Sequence, residues 1–151
     1  MTWPDITSTV DMFLIDGVVI WTDIVCTIPA GTIIKSGSYG QFYVCGTIDV
    51  NGTETNPVIF TSLQDDTYGG DMNNDGTATS PAPGDWQGIV LDGSSFELPG
   101  DGIGEFDHCR VRYGGLSGYF ASNVCFFHSE SGYFNNSVSE HSLHNGLKAK
   151  E

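Results

Sequence analysis

Residues 17–48 repeat one short phrase three times: Gly17-Val18-Val19, Gly31-Thr32-Ile33 and Gly46-Thr47-Ile48. Each is a glycine, one further residue and a β-branched residue, at offsets of 14 and 15. Turn clusters separate them: Pro29-Ala30, Ser36-Gly37-Ser38 and, just beyond, Asn51-Gly52. Short β-forming steps that recur after a turn predict a solenoid, in which each coil stacks its residues on the coil below. A β-sandwich also gives short strands and turns, and it is the alternative. A sandwich seldom repeats one local motif three times within about 30 residues, so the solenoid is preferred.

The rest of the chain keeps the same texture. Further β-rich runs are Phe13–Ile15, Val18–Trp21, Ile24–Ile28, Thr32–Ile34, Gln41–Val44, Thr47–Val50 and Pro57–Thr61. Gly88–Leu91, Cys109–Tyr113, Val124–His128 and Ser137–Ser139 follow. Gly, Asn, Asp or Ser lies at or just beyond the end of most runs, which is how strands end. No segment has helical periodicity, and glycine numbers 20. The predicted class is all-β, in a single domain spanning 1–151 with a long acidic loop at 64–85. Val18, Ile33, Ile48, Ile59, Ile89 and Val111 are the expected inward stacks.

Ile15-Asp16-Gly17-Val18-Val19-Ile20, Thr27–Lys35, Val50–Ser62, Gly84–Val90, His108–Gly115 and Asn135–Ser139 occur in the order of successive coils. Together, over roughly residues 10 to 146, they resemble right-handed parallel β-helix domains of bacterial secreted and surface proteins. The resemblance implies a right-handed parallel β-helix, here of five to six short coils, and an extracellular or cell-surface setting. It says little about activity, because that fold hosts lyases, hydrolases, adhesins and passive stalks. The enzymes resemble longer stacks than this chain can form.

Nineteen acids against five bases give a formal charge of −14. Such a surface repels phosphate backbones and anionic lipids, so neither nucleic acid nor a membrane is an expected partner. No run approaches the roughly 20 apolar residues of a membrane helix. Met1-Thr2-Trp3-Pro4-Asp5 shows no signal peptide, so the chain either stays inside the cell or begins after processing. The cysteines at 26, 45, 109 and 125 form no C-x-x-C pair. They are expected to be buried free thiols, with Cys26–Cys45 the first candidate if a disulfide forms.

Asp71-Met72-Asn73-Asn74-Asp75-Gly76 carries oxygen side chains at every second position and then a glycine. That is the first half of an EF-hand-like calcium loop. The twelfth position, where an EF-hand places glutamate, is Ala82, and the flanks lack helical patterns. Ligands beyond Asp71, Asn73 and Asp75 are therefore expected from Asp65, Asp66 or Asp85, with calcium as the ion.

No other chemistry is well marked. Asp92, Glu105 and Asp107 are the carboxylates near strand ends that an acid/base pair would need, but solvated surface acids are the plainer reading. Arg110 and Arg112 share one face and are expected to pair with Asp107 or Glu105. His108, His128, His141 and His144 lack zinc spacing, although His141 and His144 are close enough in sequence to meet in a turn. Catalytic residues are not assigned. The expected role is a non-catalytic, calcium-stabilised module with a structural, adhesive or carbohydrate-binding function. The alternative is a small polysaccharide-active enzyme, a lyase or glycoside hydrolase. Open coil ends need covering. Trp3-Pro4-Asp5-Ile6 is the expected cap at one end, and a homodimer through the C-terminal coils is expected at the other. Carbohydrate or other surface proteins are further expected partners.

Overall fold

The computed structural model describes residues 12–93, 100, 102–116, 118, 120–129 and 131–150, with residues 12–14 given by their backbone. The expected cap Trp3-Pro4-Asp5-Ile6 lies outside the described residues. Among the described residues fourteen strands form three sheets. The first stacks β1 (Met12–Ile15), β4 (Ile33–Ser36), β7 (Val58–Ser62), β10 (Cys109–Arg112) and β13 (Val138–Glu140). The second stacks β2 (Val18–Ile20), β5 (Gln41–Val44), β8 (Gly88–Asp92), β11 (Ser122–Phe127) and β14 (Asn145–Lys150). The third stacks β3 (Val25–Pro29), β6 (Thr47–Asn51), β9 (Ile103–Asp107) and β12 (Gly132–Asn135).

Every pairing among the described residues is parallel, and each strand pairs with the strand three places on. The chain therefore visits the three sheets in turn and climbs one strand per circuit. This is a parallel β-helix of four complete coils and two strands of a fifth. A sandwich would need antiparallel ladders, so that alternative is excluded.

Register builds the interior in columns. Ile28, Val50, Phe106 and Phe134 align in the third sheet, and Phe42, Ile89 and Val124 in the second. Ile34 aligns with Phe60 in the first. Phe42 and Phe60 meet edge to face at 5.6 Å across the interior. Burying one such ring is worth roughly 2–3 kcal/mol.

The inward set differs from expectation in one sheet. Ile48, Ile89 and Val111 belong to the core and Val18 packs against it, but Ile33 and Ile59 lie outside that cluster. Their neighbours Ile34 and Phe60 point inward instead. In Ile33-Ile34 and Ile59-Phe60 adjacent residues are both apolar, and a one-residue step changes the face. Composition alone does not choose between them.

Several corners between sheets hold non-glycine residues at positive φ: His108 (47°), Tyr113 (62°), His128 (46°), Asn136 (48°) and His141 (53°). Asn and His tolerate this region better than branched residues do. Equivalent corners of successive coils stack, so the rings of Tyr113 and His141 lie 5.0 Å apart and nearly parallel. His141 is thus a corner residue stacked on Tyr113. Gly88 opens β8 at φ 103°, and a Cβ there would stand 2.3 Å from the Ser122 carbonyl oxygen of the next coil.

The four cysteines are buried free thiols, so the candidate Cys26–Cys45 bridge is not made. Leu147–Lys150 belongs to β14, which pairs with β11 and extends the second sheet.

Candidate metal centre in the long loop

Residues 63–87 join β7 to β8 and fold back over the outer face of the first sheet. Alternation puts Ile34 and Phe60 inside, so Lys35 and Thr61, register partners of each other, face outward. Val111 inside likewise puts Arg112 and its partner Glu140 outside. These outward side chains dock the loop. Asp65, fully buried, accepts hydrogen bonds from Thr61 Oγ1 at 2.5 Å and Arg112 Nη1 at 2.8 Å. Its other oxygen accepts from the Thr67 amide at 3.2 Å and from the Thr67 hydroxyl. Arg112 Nε lies 2.8 Å from Glu140, and the guanidinium covers the rings of Tyr68 and Tyr113 at 5.1 and 4.9 Å. Lys35, with no exposed surface, donates from Nζ to the Gly70 carbonyl. At the loop's end Trp86 is buried in the core, and its Nε1 donates to the Arg112 carbonyl at 2.7 Å.

On this platform the loop gathers carboxylates. Oxygens of Asp66, Asp71 and Asp75 all lie within 4.8 Å of one another, a group that could hold a metal ion. The local turn explains part of this. Asp71 accepts from the amides of Asp75 at 3.1 Å and Gly76 at 2.8 Å, which curls the chain around its carboxylate. Asp75 accepts from the Asn73 amide at 2.8 Å and from the Thr79 hydroxyl. The Thr79 hydroxyl chiefly holds the Asp75 carboxyl below the usual carboxylate range, helped by the backbone amides of Thr79 and Ala78.

Three further oxygens distinguish this turn from a solvated one. Oδ1 of Asp66, Asn73 and Asp75 are all inaccessible and accept no hydrogen bond. Buried acceptors in native structures are nearly always satisfied. Two oxygens bound to one calcium at about 2.3–2.6 Å can stand at most about 5 Å apart, so carboxylate oxygens within 4.8 Å of one another could share one ion.

The six residues read from the sequence divide into two groups. Asp66, Asp71 and Asp75 come together, with Asn73 beside them. Asp65 turns to Thr61, Thr67 and Arg112, and Asp85 accepts from Ser62 Oγ at 2.6 Å and the Ala82 amide at 2.9 Å. Both therefore fasten the loop to the sheet.

The arginines pair differently from expectation. Arg112 meets Asp65 and Glu140, and Arg110 lies 3.5 Å from Glu140. Asp107 instead meets His108 at 2.9 Å and Asn136 at 3.0 Å. Glu105 and Asp107 face outward on the third sheet, either side of buried Phe106. Asp92 is buried at the end of β8 against the Tyr43 hydroxyl.

Lys35 had no signal as a site residue in the sequence. Burial holds its ammonium below the ordinary lysine value, and the carboxylates of Asp66, Asp65 and Asp71 offset only part of that shift. A lone lysine within an apolar strand run was the only available clue.

Comparison with known proteins finds no matching family model, curated protein or solved structure.

Proposed function

We propose that this chain is a non-catalytic β-helix module whose long loop binds calcium, with a structural, adhesive or carbohydrate-binding role outside the cell or at its surface. The observation that carries the reading is the convergence of unpartnered acceptors. Asp66, Asn73 and Asp75 each hold an inaccessible oxygen with no hydrogen-bond partner, beside the Asp71 carboxylate. Hard oxygens at this spacing suit a hard cation, and the absence of a nitrogen or sulfur ligand in the group argues against zinc or copper. The ion would be held by Asp66, Asp71, Asn73 and Asp75, with water completing its shell. Its chemistry there is charge neutralisation and loop closure. The extracellular setting rests on the resemblance to secreted β-helix domains, and calcium is abundant in that setting.

A thermal melt tests the reading. An ion that binds only the folded chain adds about 2.7 kcal/mol at a hundredfold excess over its Kd. The melting temperature should rise in calcium relative to EDTA, and Asp75→Ala should remove the difference. Identical melts of the unaltered protein in both buffers would sink the calcium assignment.

A further inference from the structure

Lys35 is the only lysine among the described residues whose side chain has no exposed surface. It stands on the outer face of β4, beneath the loop, and its Nζ is tied to the Gly70 carbonyl one residue before Asp71. Asp66, Asp65 and Asp71 are the carboxylates whose field reaches it. Asp65 already has Arg112 as partner at 2.8 Å. Asp66 acts on the Lys35 charge most strongly, and Asp66 and Asp71 are two of the three clustered carboxylates.

We propose that Lys35 is a built-in counter-cation of the metal centre, and that it sets both the affinity and the charge selectivity of the site. The proposal rests on the reading of the loop as a cation site. Three carboxylates carry −3, and one fixed ammonium brings the assembly to −2, which a divalent ion neutralises. With no ion bound, the ammonium offsets part of the carboxylate repulsion and keeps the loop on the sheet. With an ion bound, the same ammonium repels it. A fixed like charge several ångströms away lowers affinity on the order of tenfold or more at protein-surface dielectrics. The penalty scales with ion charge, so it falls harder on a trivalent ion than on a divalent one. Lys35 thereby tunes the loop to M²⁺ and holds its affinity down.

The test is calorimetric titration of the metal-stripped chain with CaCl₂ and TbCl₃, together with melts in EDTA, for the wild type, Lys35→Met and Lys35→Arg. Lys35→Met should tighten calcium on the order of tenfold and terbium more, roughly thirtyfold, while melting lower than wild type in EDTA. Lys35→Arg keeps the charge and should stay near wild type. If Lys35→Met is unfolded in EDTA, circular dichroism during calcium addition becomes the readout. Recovery of β-structure then supports the proposal, and continued disorder overturns it. Calcium binding by wild type with Lys35→Met within twofold of it, or weaker, overturns the role of Lys35 and leaves the calcium reading standing. A silent wild type with a binding Lys35→Met supports the proposal in its strongest form. Silence from both removes the proposal and the calcium reading together.

Discussion

Cys109 shows how a single residue records its surroundings. It opens β10, points inward and is 1% exposed. Burial pushes its thiol from the ordinary 9.0 up to about 12, against a weaker opposite pull from the Ser137 hydroxyl. The folded state therefore holds this proton more tightly than the unfolded chain does. Stability from that proton is complete below pH 9 and drains away as pH rises towards 12. At pH 10 the loss from this one thiol is on the order of 1 kcal/mol. Urea unfolding at pH 7 and pH 10 should show that decline, and Cys109→Ala should reduce it by a similar amount. An equal decline in both proteins would mean that the thiol ionises freely when folded. The other three cysteines are shifted the same way, each chiefly by burial, so they steepen the alkaline loss further.

Arg112 matters for the element it fastens. The loop over the first sheet depends on an ion pair between Arg112 and a fully buried Asp65. Removing one member of such a pair strands the other charge, at a cost of about 3 kcal/mol or more. Arg112→Ala should lower unfolding free energy by about that amount, and Asp65→Asn in the same background should recover part of it. A loss under about 0.5 kcal/mol in Arg112→Ala would mean that the loop is held by something else.

The same loop shows what was legible. Asp71, Asn73 and Asp75 were readable because their geometry is local: alternate positions and a glycine make the turn. Asp66 was readable only as one of several nearby acids. Its separation from Asp65 is decided by Arg112, a residue 47 positions from Asp65. Strands divide in the same way. Val58–Ser62 and Gly88–Asp92 are rich in β-branched or aliphatic residues. Ile103–Asp107, Gly132–Asn135 and Asn145–Lys150 carry acids, glycines and lysines, and no strand was read there. They are strands because the previous coil offers a ladder in register, a tertiary cause that propensity does not contain. Gly104 in β9 even looks like a break. Its missing side chain leaves room, since a Cβ there would stand 2.3 Å from Leu91.

For the whole molecule, the parallel climb through three sheets ends, among the described residues, on β12, β13 and β14. Tyr133, Val138, Leu143 and Leu147, in and beside these strands, are exposed, each by 40% or more. We propose that a second copy covers them in a symmetric dimer, the commonest closed assembly. A specific interface would bury about 800 Å² per partner. The −14 charge opposes association, so the dimer should tighten as salt screens it. Light scattering at micromolar concentration should give twice the chain mass of 16.2 kDa at high salt. A monomer at both low and high salt would contradict the dimer. The overall coil was legible because stacking repeats the glycine and β-branched positions. The face chosen by Ile33 or Ile34 was not, because both suit a buried strand.

The account turns on one ion in the acidic loop, and crystallography of the chain soaked in terbium or calcium addresses it most directly. One strong anomalous peak per chain is expected, about 2.3–2.6 Å from oxygens of Asp66, Asp71, Asn73 and Asp75. A loop with no peak at saturating metal, or a peak elsewhere on the molecule, would contradict it.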